Sequence, residues 1–177
     1  MNILAINMMK AKQLLSLFLC LLTAGFSLKV QAQDSETLRR TYQQVIELYP
    51  QNLEAARKQG NRVFEAQVIS GAALGYQYLG DYQKALELFR EALAIAKSIP
   101  DRAMISQVFN GMASTYSKLG DYQGINFFEE QLKQARANGD RLMIGITLNS
   151  LGLADLSLPD YQKSIASYEE YLPMVRG

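Results

Sequence analysis

The segment Gly80-Asp81-Tyr82-Gln83 occurs three times in this chain of 177 residues. It returns as Gly120-Asp121-Tyr122-Gln123 and, with proline in the first place, as Pro159-Asp160-Tyr161-Gln162. The three tyrosines therefore recur with a regular period of roughly 40 residues, which is typical of proteins in which small helical units stack on one another. The segment indicates an internal repeat.

A second marker keeps the same register, because Gly60-Asn61-Arg62, Pro100-Asp101-Arg102 and Gly139-Asp140-Arg141 recur with the same period. Projecting back from Tyr82 by one period reaches Tyr42, so a partial unit precedes the full ones. We place the partial unit at residues 33–60. The three full units are placed at 61–99, 100–138 and 139–177.

Each unit is predicted to be a pair of helices. Asparagine or aspartate precedes each helix and can accept the free amide hydrogens of its first turn. These predicted caps are Asn61, Asp101 and Asp140 for the first helices and Asp81, Asp121 and Asp160 for the second helices. Gly80 and Gly120 are predicted to end the first helices. Pro50 is expected to kink or split the second helix of the partial unit, and Pro173 to end the last helix.

The apolar side chains of these helices recur at helical spacing and predict the core. In the first full unit they are Ala85, Leu86, Phe89, Ala92 and Leu93, and in the second Val108, Met112, Tyr116 and Leu119. The in-phase tyrosines, too, are expected in the core rather than in a ligand-stacking ladder. They are Tyr76, Tyr82, Tyr116, Tyr122 and Tyr161.

The N-terminal region is predicted to be an export signal over residues 1–32. Only positive charges precede the uncharged run from Leu14 to Leu28, and that run is shorter than the roughly 20 residues of a comfortable membrane span. Small or slender residues at Val30 and Ala32 favour cleavage after Ala32. Met8 and Met9 are alternative starts. An uncleaved anchor helix is the alternative to cleavage, and periplasm and secretion remain equally open.

The composition argues against several classes of function. The chain has no histidine and one cysteine, so it lacks the residues for a Ser-His-Asp triad, an imidazole metal site or an internal disulfide. Its net charge of +1 does not point to nucleic acid. We therefore expect neither an enzyme nor a cofactor, and no stable membrane insertion once the signal is removed.

The repeat resembles the tetratricopeptide repeat (TPR) family, in its bacterial exported type with extended repeats. The pattern is fullest in the first unit, in Ala73, Tyr76, Leu79, Gly80, Tyr82, Ala85, Phe89 and Ala92. The second unit departs from it at Ile125, Glu129 and Leu132, and the third at Asp155 and Ser164. The resemblance implies an all-α fold: a right-handed superhelical α-solenoid of antiparallel helix hairpins. In this family the first helices line a concave groove that holds a peptide or a partner helix.

Carrying over the family's groove positions gives a mostly polar, uncharged set. Its members are Gln67, Ser70, Leu74, Gln77 and Tyr78; Gln107, Asn110, Ser114, Ser117 and Lys118; and Ile146, Asn149, Leu153, Leu156 and Ser157. Asn110 and Asn149 fall at one phase and are the preferred partner contacts. The competing interpretation is that both bond only to neighbouring helices. With Lys118 as the one basic member, a clamp for a terminal carboxylate is disfavoured.

The leading prediction is thus an exported, non-enzymatic scaffold that binds a protein or peptide partner. The alternatives are a structural protein that stacks end to end into a homo-oligomer, and a shortened relative of longer proteins in which such arrays precede an effector domain. The stacking face would carry Ile165, Tyr168 and Leu172.

Overall fold

The computed structural model describes residues 35–99, 102–120, 123–155 and 161–176. The helices in these ranges are α1 (Ser35–Lys58), α2 (Arg62–Leu79), α3 (Tyr82–Ala96), α4 (Arg102–Leu119), α5 (Gln123–Ala137), α6 (Arg141–Asp155) and α7 (Tyr161–Arg176). The predicted all-α class is confirmed. The proposed signal and its cleavage site lie outside the described residues. In the four ranges above, no helix is long and apolar enough to cross a membrane.

The first full hairpin shows how local sequence sets the helix ends. The Asn61 side chain accepts a hydrogen bond from the Phe64 amide at 3.0 Å, and Asp81 accepts one from the Lys84 amide at 3.1 Å. Gly80 ends α2 with φ at 90°, a left-handed conformation that glycine adopts without a steric cost. These predicted caps are confirmed.

The same devices recur farther along the chain. Asp140 accepts from the Met143 amide at 3.1 Å, and Gly120 follows α4 with φ at 62°. The predicted caps Asp101, Asp121 and Asp160 lie outside the described residues.

Successive helices pack against each other along the chain. Helix α2 contacts α3, α3 contacts α4, and α6 contacts both α5 and α7. The first helices of neighbouring units also touch, α2 with α4 and α4 with α6. This arrangement of hairpins is that of an all-α helical repeat solenoid, in which each unit buries its apolar face on the next.

The predicted core is largely confirmed. Ala85, Leu86, Phe89, Ala92 and Leu93 are buried on α3, and Val108, Met112 and Tyr116 on α4, whereas Leu119 is half-buried. Of the in-phase tyrosines, Tyr76 and Tyr82 are half-exposed, and the side chains of Tyr122 and Tyr161 are outside the described set.

The prediction that Pro173 ends the last helix is wrong, and Pro50 does not split its helix. Helix α1 continues through Pro50 as far as Lys58, and α7 continues through Pro173 as far as Arg176. A proline inside a helix removes the one hydrogen bond that its amide would make to the carbonyl four residues back. In α1 that loss is offset by packing on both sides of Pro50, through Tyr49 and Leu53, which lie against the core, and through the buried Ala56.

Helix α5 buries a narrower face than α3 does. Its buried side chains include Ile125, Phe128 and Leu132, and the register that holds Leu86, Phe89 and Leu93 in α3 is occupied in α5 by Asn126, Glu129 and Lys133. All three of these polar side chains are exposed. Ile125, Phe128 and Leu132 stand at the register of Ala85, Leu88 and Ala92, which are also buried in α3. The departure from the family pattern in this unit is therefore a narrower buried face.

Candidate partner-binding groove

Most of the predicted groove residues on the first helices α2, α4 and α6 are half-exposed. Half-exposed side chains are Gln67, Leu74 and Gln77 on α2, Gln107, Asn110, Ser114 and Ser117 on α4, and Ile146, Asn149 and Leu153 on α6. Lys118 is exposed. Leu156 and Ser157 lie outside the described residues.

Ser70 is a correction to the predicted set. Its residue is only 3% exposed, so its hydroxyl is not accessible to a partner in this structure. The small side chain lies beside the buried Ile69 and Gly71, at a depth where α2 meets its neighbours.

Asn110 and Asn149 meet across the junction between α4 and α6. The Asn149 Nδ2 donates a hydrogen bond to the Asn110 Oδ1 at 2.9 Å. A carboxamide has two donor hydrogens and an acceptor oxygen with two lone pairs, so this bond leaves the Asn110 amino group and the Asn149 oxygen with further capacity. The pair links neighbouring helices and still presents both a donor and an acceptor at a half-exposed position.

Gln77 makes the corresponding link between α2 and α4. Its Nε2 donates to the Thr115 Oγ1 at 2.9 Å and lies 3.4 Å from the Gly111 carbonyl oxygen. Thr115 in turn donates to the Gly111 carbonyl at 2.7 Å. The row of amides formed by Gln77, Asn110 and Asn149 thus links neighbouring first helices and also lines their common face.

An aromatic pair lies next to this row. The rings of Tyr42 on α1 and Tyr78 on α2 stack with centroids 4.5 Å apart and planes 28° apart. Tyr78 is 41% exposed, whereas burial, and then the neighbouring Tyr78, raise the pKa of Tyr42. Sequence reasoning placed Tyr78 on the groove but missed Tyr42 as its partner, although Tyr42 begins the projected partial unit.

The second helices are joined by a regular set of polar contacts that the sequence analysis missed. The Arg57 Nη2 donates to Glu91 at 3.0 Å, the Lys97 Nζ to Gln131 at 2.9 Å, and Arg136 to Glu170. Each pair is separated by 34 residues. That constant separation, shorter than the period, is the sequence signal that could have revealed them.

The in-phase arginines do not share one role. Arg102 reaches Asp140 of the next unit at 2.7 Å, as expected for an arginine that pairs across a junction. Arg62 differs, because it pairs with Glu65 in its own helix. Glu65 also accepts from the Arg57 Nε at 2.9 Å.

A cleft of about 470 Å³ lies where α3, α4, α5 and α6 come together. Its two cationic lining residues are Lys97 and Arg102, and both already have partners, Gln131 and Asp140. Asp140 compensates the charge of Arg102, whereas Gln131 is a neutral amide and leaves the positive charge of Lys97 in place.

The hairpins, their stacking order and the polar row on the first helices define a helical repeat protein of the kind that binds other proteins. The family model described as tetratricopeptide repeat matches residues 34–98. The predicted resemblance to the tetratricopeptide repeat family is thereby confirmed over these residues, and proteins of this family are typically non-enzymatic interaction scaffolds. No curated protein matches the chain.

Proposed function

We propose that this protein is an exported, non-enzymatic scaffold whose first helices bind a peptide or a partner helix. The observation that carries the proposal is the Asn110–Asn149 pair, which offers a spare donor and a spare acceptor on the common face of α4 and α6. A peptide backbone presents an N–H donor and a C=O acceptor at nearly every residue. Such a pair therefore suits a partner that is recognised through its main-chain groups.

The residues proposed to contact the partner are those of the predicted set that are at least half-exposed. They are Gln67, Leu74, Gln77, Tyr78, Gln107, Asn110, Ser114, Ser117, Lys118, Ile146, Asn149 and Leu153. The units themselves are proposed at 61–99, 100–138 and 139–177, after the partial unit at 33–60. With Lys118 as the one proposed ionic contact, binding should depend only weakly on salt.

The test is a selection of peptides from a random display library on residues 33–177. The affinities of the selected peptides are then measured for the wild type and for the Asn110→Ala, Asn149→Ala double variant. Each lost hydrogen bond is expected to cost about 0.5–1.5 kcal/mol, so affinity should fall roughly tenfold.

Asn126→Ala is the matched control, because Asn126 is exposed on α5 and lies on another face. The control should bind as the wild type does. Peptides that bind equally to all three proteins would remove the asparagine pair from the site. Thermal melting of each variant shows whether a lost affinity reflects a lost fold.

Export is proposed separately, from the signal over residues 1–32. Expressed in a bacterial host, the chain recovered outside the cytoplasm should begin at Gln33 by intact mass. The Ala32→Phe variant has a bulky residue at the cleavage position, so it should not be cleaved. Its recovered mass should be that of the full-length chain. Recovery of the unprocessed wild type in the membrane fraction would support the anchor alternative.

A further inference from the structure

The dipeptide Asn-Gly occurs at two places in the chain, at Asn110-Gly111 and at Asn138-Gly139. In such a dipeptide the side-chain amide carbon of asparagine lies close along the chain to a main-chain nitrogen, and glycine adds no side chain that would shield that nitrogen. The nitrogen can attack the amide carbon and displace ammonia, and asparagine is accordingly among the thermolabile residues of proteins. The two places differ in whether the surrounding structure permits this attack.

The surroundings of the first dipeptide oppose the attack. Asn110 lies in the interior of α4, and its Oδ1 accepts a hydrogen bond from the Asn149 Nδ2. Gly111 is buried, and a Cβ added there would overlap the Phe89 ring. For the Gly111 nitrogen to reach the side chain, the main chain of Asn110 must leave the helical conformation. Helix α4 would therefore have to unfold around a buried ring.

The surroundings of the second dipeptide leave room for the attack. Asn138 and Gly139 are exposed in the turn between α5, which ends at Ala137, and α6, which begins at Arg141. In the described part of the chain, a Cβ added to Gly139 would meet no atom within 4 Å, and no hydrogen bond to the Asn138 side chain is found. The Asn138 side chain therefore has space to rotate toward the Gly139 nitrogen.

Two main-chain hydrogen bonds hold this turn in place. The Gly139 nitrogen donates to the Arg136 carbonyl at 3.1 Å, and the Asp140 nitrogen donates to the Ala135 carbonyl at 3.0 Å. Both bonds belong to the end of α5, and helix ends open at a much lower cost in free energy than buried helix interiors do. The conformation needed for the attack is therefore reached by opening one turn, without unfolding a repeat.

We propose that Asn138 is a site of spontaneous deamidation, with water as the co-reactant. The Gly139 nitrogen gives its proton to hydroxide and forms a bond to the Asn138 Cγ. The bond from Cγ to Nδ2 breaks, and the amino group takes a proton from water and leaves as ammonia. Water then opens the cyclic imide. Cleavage of the new bond gives aspartate, whereas cleavage of the original main-chain bond gives isoaspartate.

The isoaspartate product alters the junction between α5 and α6, because its main chain runs through the former side chain and gains one carbon. That carbon lies within the turn that the Asp140 nitrogen closes, and Asp140 also caps α6 and pairs with Arg102. The aspartate product adds only a negative charge, at the edge of a cleft that Asn138 lines together with Lys97. The isoaspartate form should therefore be the less stable of the two products.

The test is peptide mapping by mass spectrometry after the full chain has been incubated in mildly alkaline buffer. Trypsin cleaves after Arg136 and Arg141, so Asn138 and Asn110 fall in different peptides. Deamidation makes a peptide heavier by the difference between a hydroxyl and an amino group. In the folded protein, the Asn138 peptide should be modified at least about tenfold faster than the Asn110 peptide, because a helix end opens far more often than a buried interior.

The same comparison in concentrated guanidinium chloride is the matched control. Unfolding removes the structural difference and leaves two Asn-Gly dipeptides, so the two rates should converge. The Asn138→Ser variant should show no change of mass in its peptide under either condition. Equal rates in the folded protein, or an Asn138 peptide that is modified only in the denaturant, would overturn the proposal.

The effect on the junction is measured on modified protein separated by anion exchange, since deamidation adds a negative charge. The fraction whose peptide fragments identify it as isoaspartate should melt at least about 4 °C below the wild type, whereas Asn138→Asp should melt within about 2 °C of it. Equal melting of these two forms would contradict the altered junction. Asn138 is not among the proposed groove residues, so the outcome is independent of peptide binding there.

Discussion

The carboxylate of Glu65 is a buried charge that contacts two arginines. Its residue is 4% exposed, and it contacts both Arg57 on α1 and Arg62 on α2. The hydrogen bond from Arg57, reinforced by Arg62, holds the pKa of Glu65 below its ordinary value despite burial. The ion pair thus fastens the end of α1 to the start of α2.

We expect Glu65→Gln to lower the free energy of unfolding by about 1–3 kcal/mol, since charged hydrogen bonds to a buried acceptor are lost. The matched control is Glu87→Gln, which removes an exposed pair with Lys84 and should cost about 0–1 kcal/mol. Urea unfolding at pH 7 measures both. Equal effects would show that burial of Glu65 adds nothing to the pair.

The same group predicts a dependence on pH. Because the folded pKa of Glu65 is depressed, its contribution is present above the unfolded value of about 4.3 and is lost as pH falls through the folded value. The stabilities of wild type and Glu65→Gln should therefore converge below about pH 4. A gap that stays constant down to pH 2 would contradict this assignment.

Gly111 is required by the close approach of Phe89 to α4. A Cβ at Gly111 would overlap that ring, so Gly111→Ala should destabilise by about 1–3 kcal/mol. Gly145→Ala is the control, because its Cβ would lie 3.5 Å from Tyr171, an ordinary contact, and helix propensity should stabilise it by about 0.5–1 kcal/mol.

Thermal melting distinguishes the opposite signs expected for the two glycines. Combining Gly111→Ala with Phe89→Leu should cost less than the sum of the two single changes, since the smaller side chain relieves the overlap. Simple additivity would mean that the ring and the glycine do not constrain each other.

At the scale of the element, Asp140 has two roles at the start of α6. It caps the helix through the Met143 amide and pairs with Arg102 of the preceding unit. The capping bond, and then Arg102, lower the pKa of this carboxyl.

The two roles of Asp140 can be separated by substitution. Asp140→Asn keeps a capping oxygen and should cost about 0–1 kcal/mol, whereas Asp140→Ala loses the cap as well and should cost about 1–2 kcal/mol. Chemical denaturation measures the difference. If the asparagine variant were as unstable as the alanine variant, the junction pair and not the cap would be the main contribution.

The elements themselves were predictable because their ends are set by local chemistry. Asn61, Asp81 and Asp140 cap helices through their own first turns, so sequence is sufficient to place them. Pro173 does not end α7, because it lies in the last turn and removes only one hydrogen bond, and tertiary packing keeps α1 from being split at Pro50.

At the scale of the whole molecule, local stability should follow the distribution of buried apolar residues. These are concentrated on α2, α3 and α4, whereas α7 buries Ser167 among its described side chains and exposes Ile165 and Leu172. Amide hydrogen exchange should therefore be slowest in α3 and α4 and faster in α7. Uniform protection from α2 to α7 would indicate one cooperative unit.

The groove was only partly accessible from sequence. Phase along the repeat placed Asn110 and Asn149 at equivalent positions, and the structure brings them within hydrogen-bonding distance. The position of a residue within the repeat could not show that Ser70 is buried or that Tyr42 stacks on Tyr78, because both depend on how adjacent helices are inclined.

Arg57 is a single side chain that holds three helices together, through Glu65 on α2 and Glu91 on α3. Its position near the end of α1 matters when the molecule is pulled by its N-terminal end. Arg57 is among the last residues of α1 to experience that tension. Helix α1 should therefore detach turn by turn from Ser35 while the other helices stay folded. The contacts of Arg57 with Glu65 and Glu91 would then be among the last contacts of α1 to break.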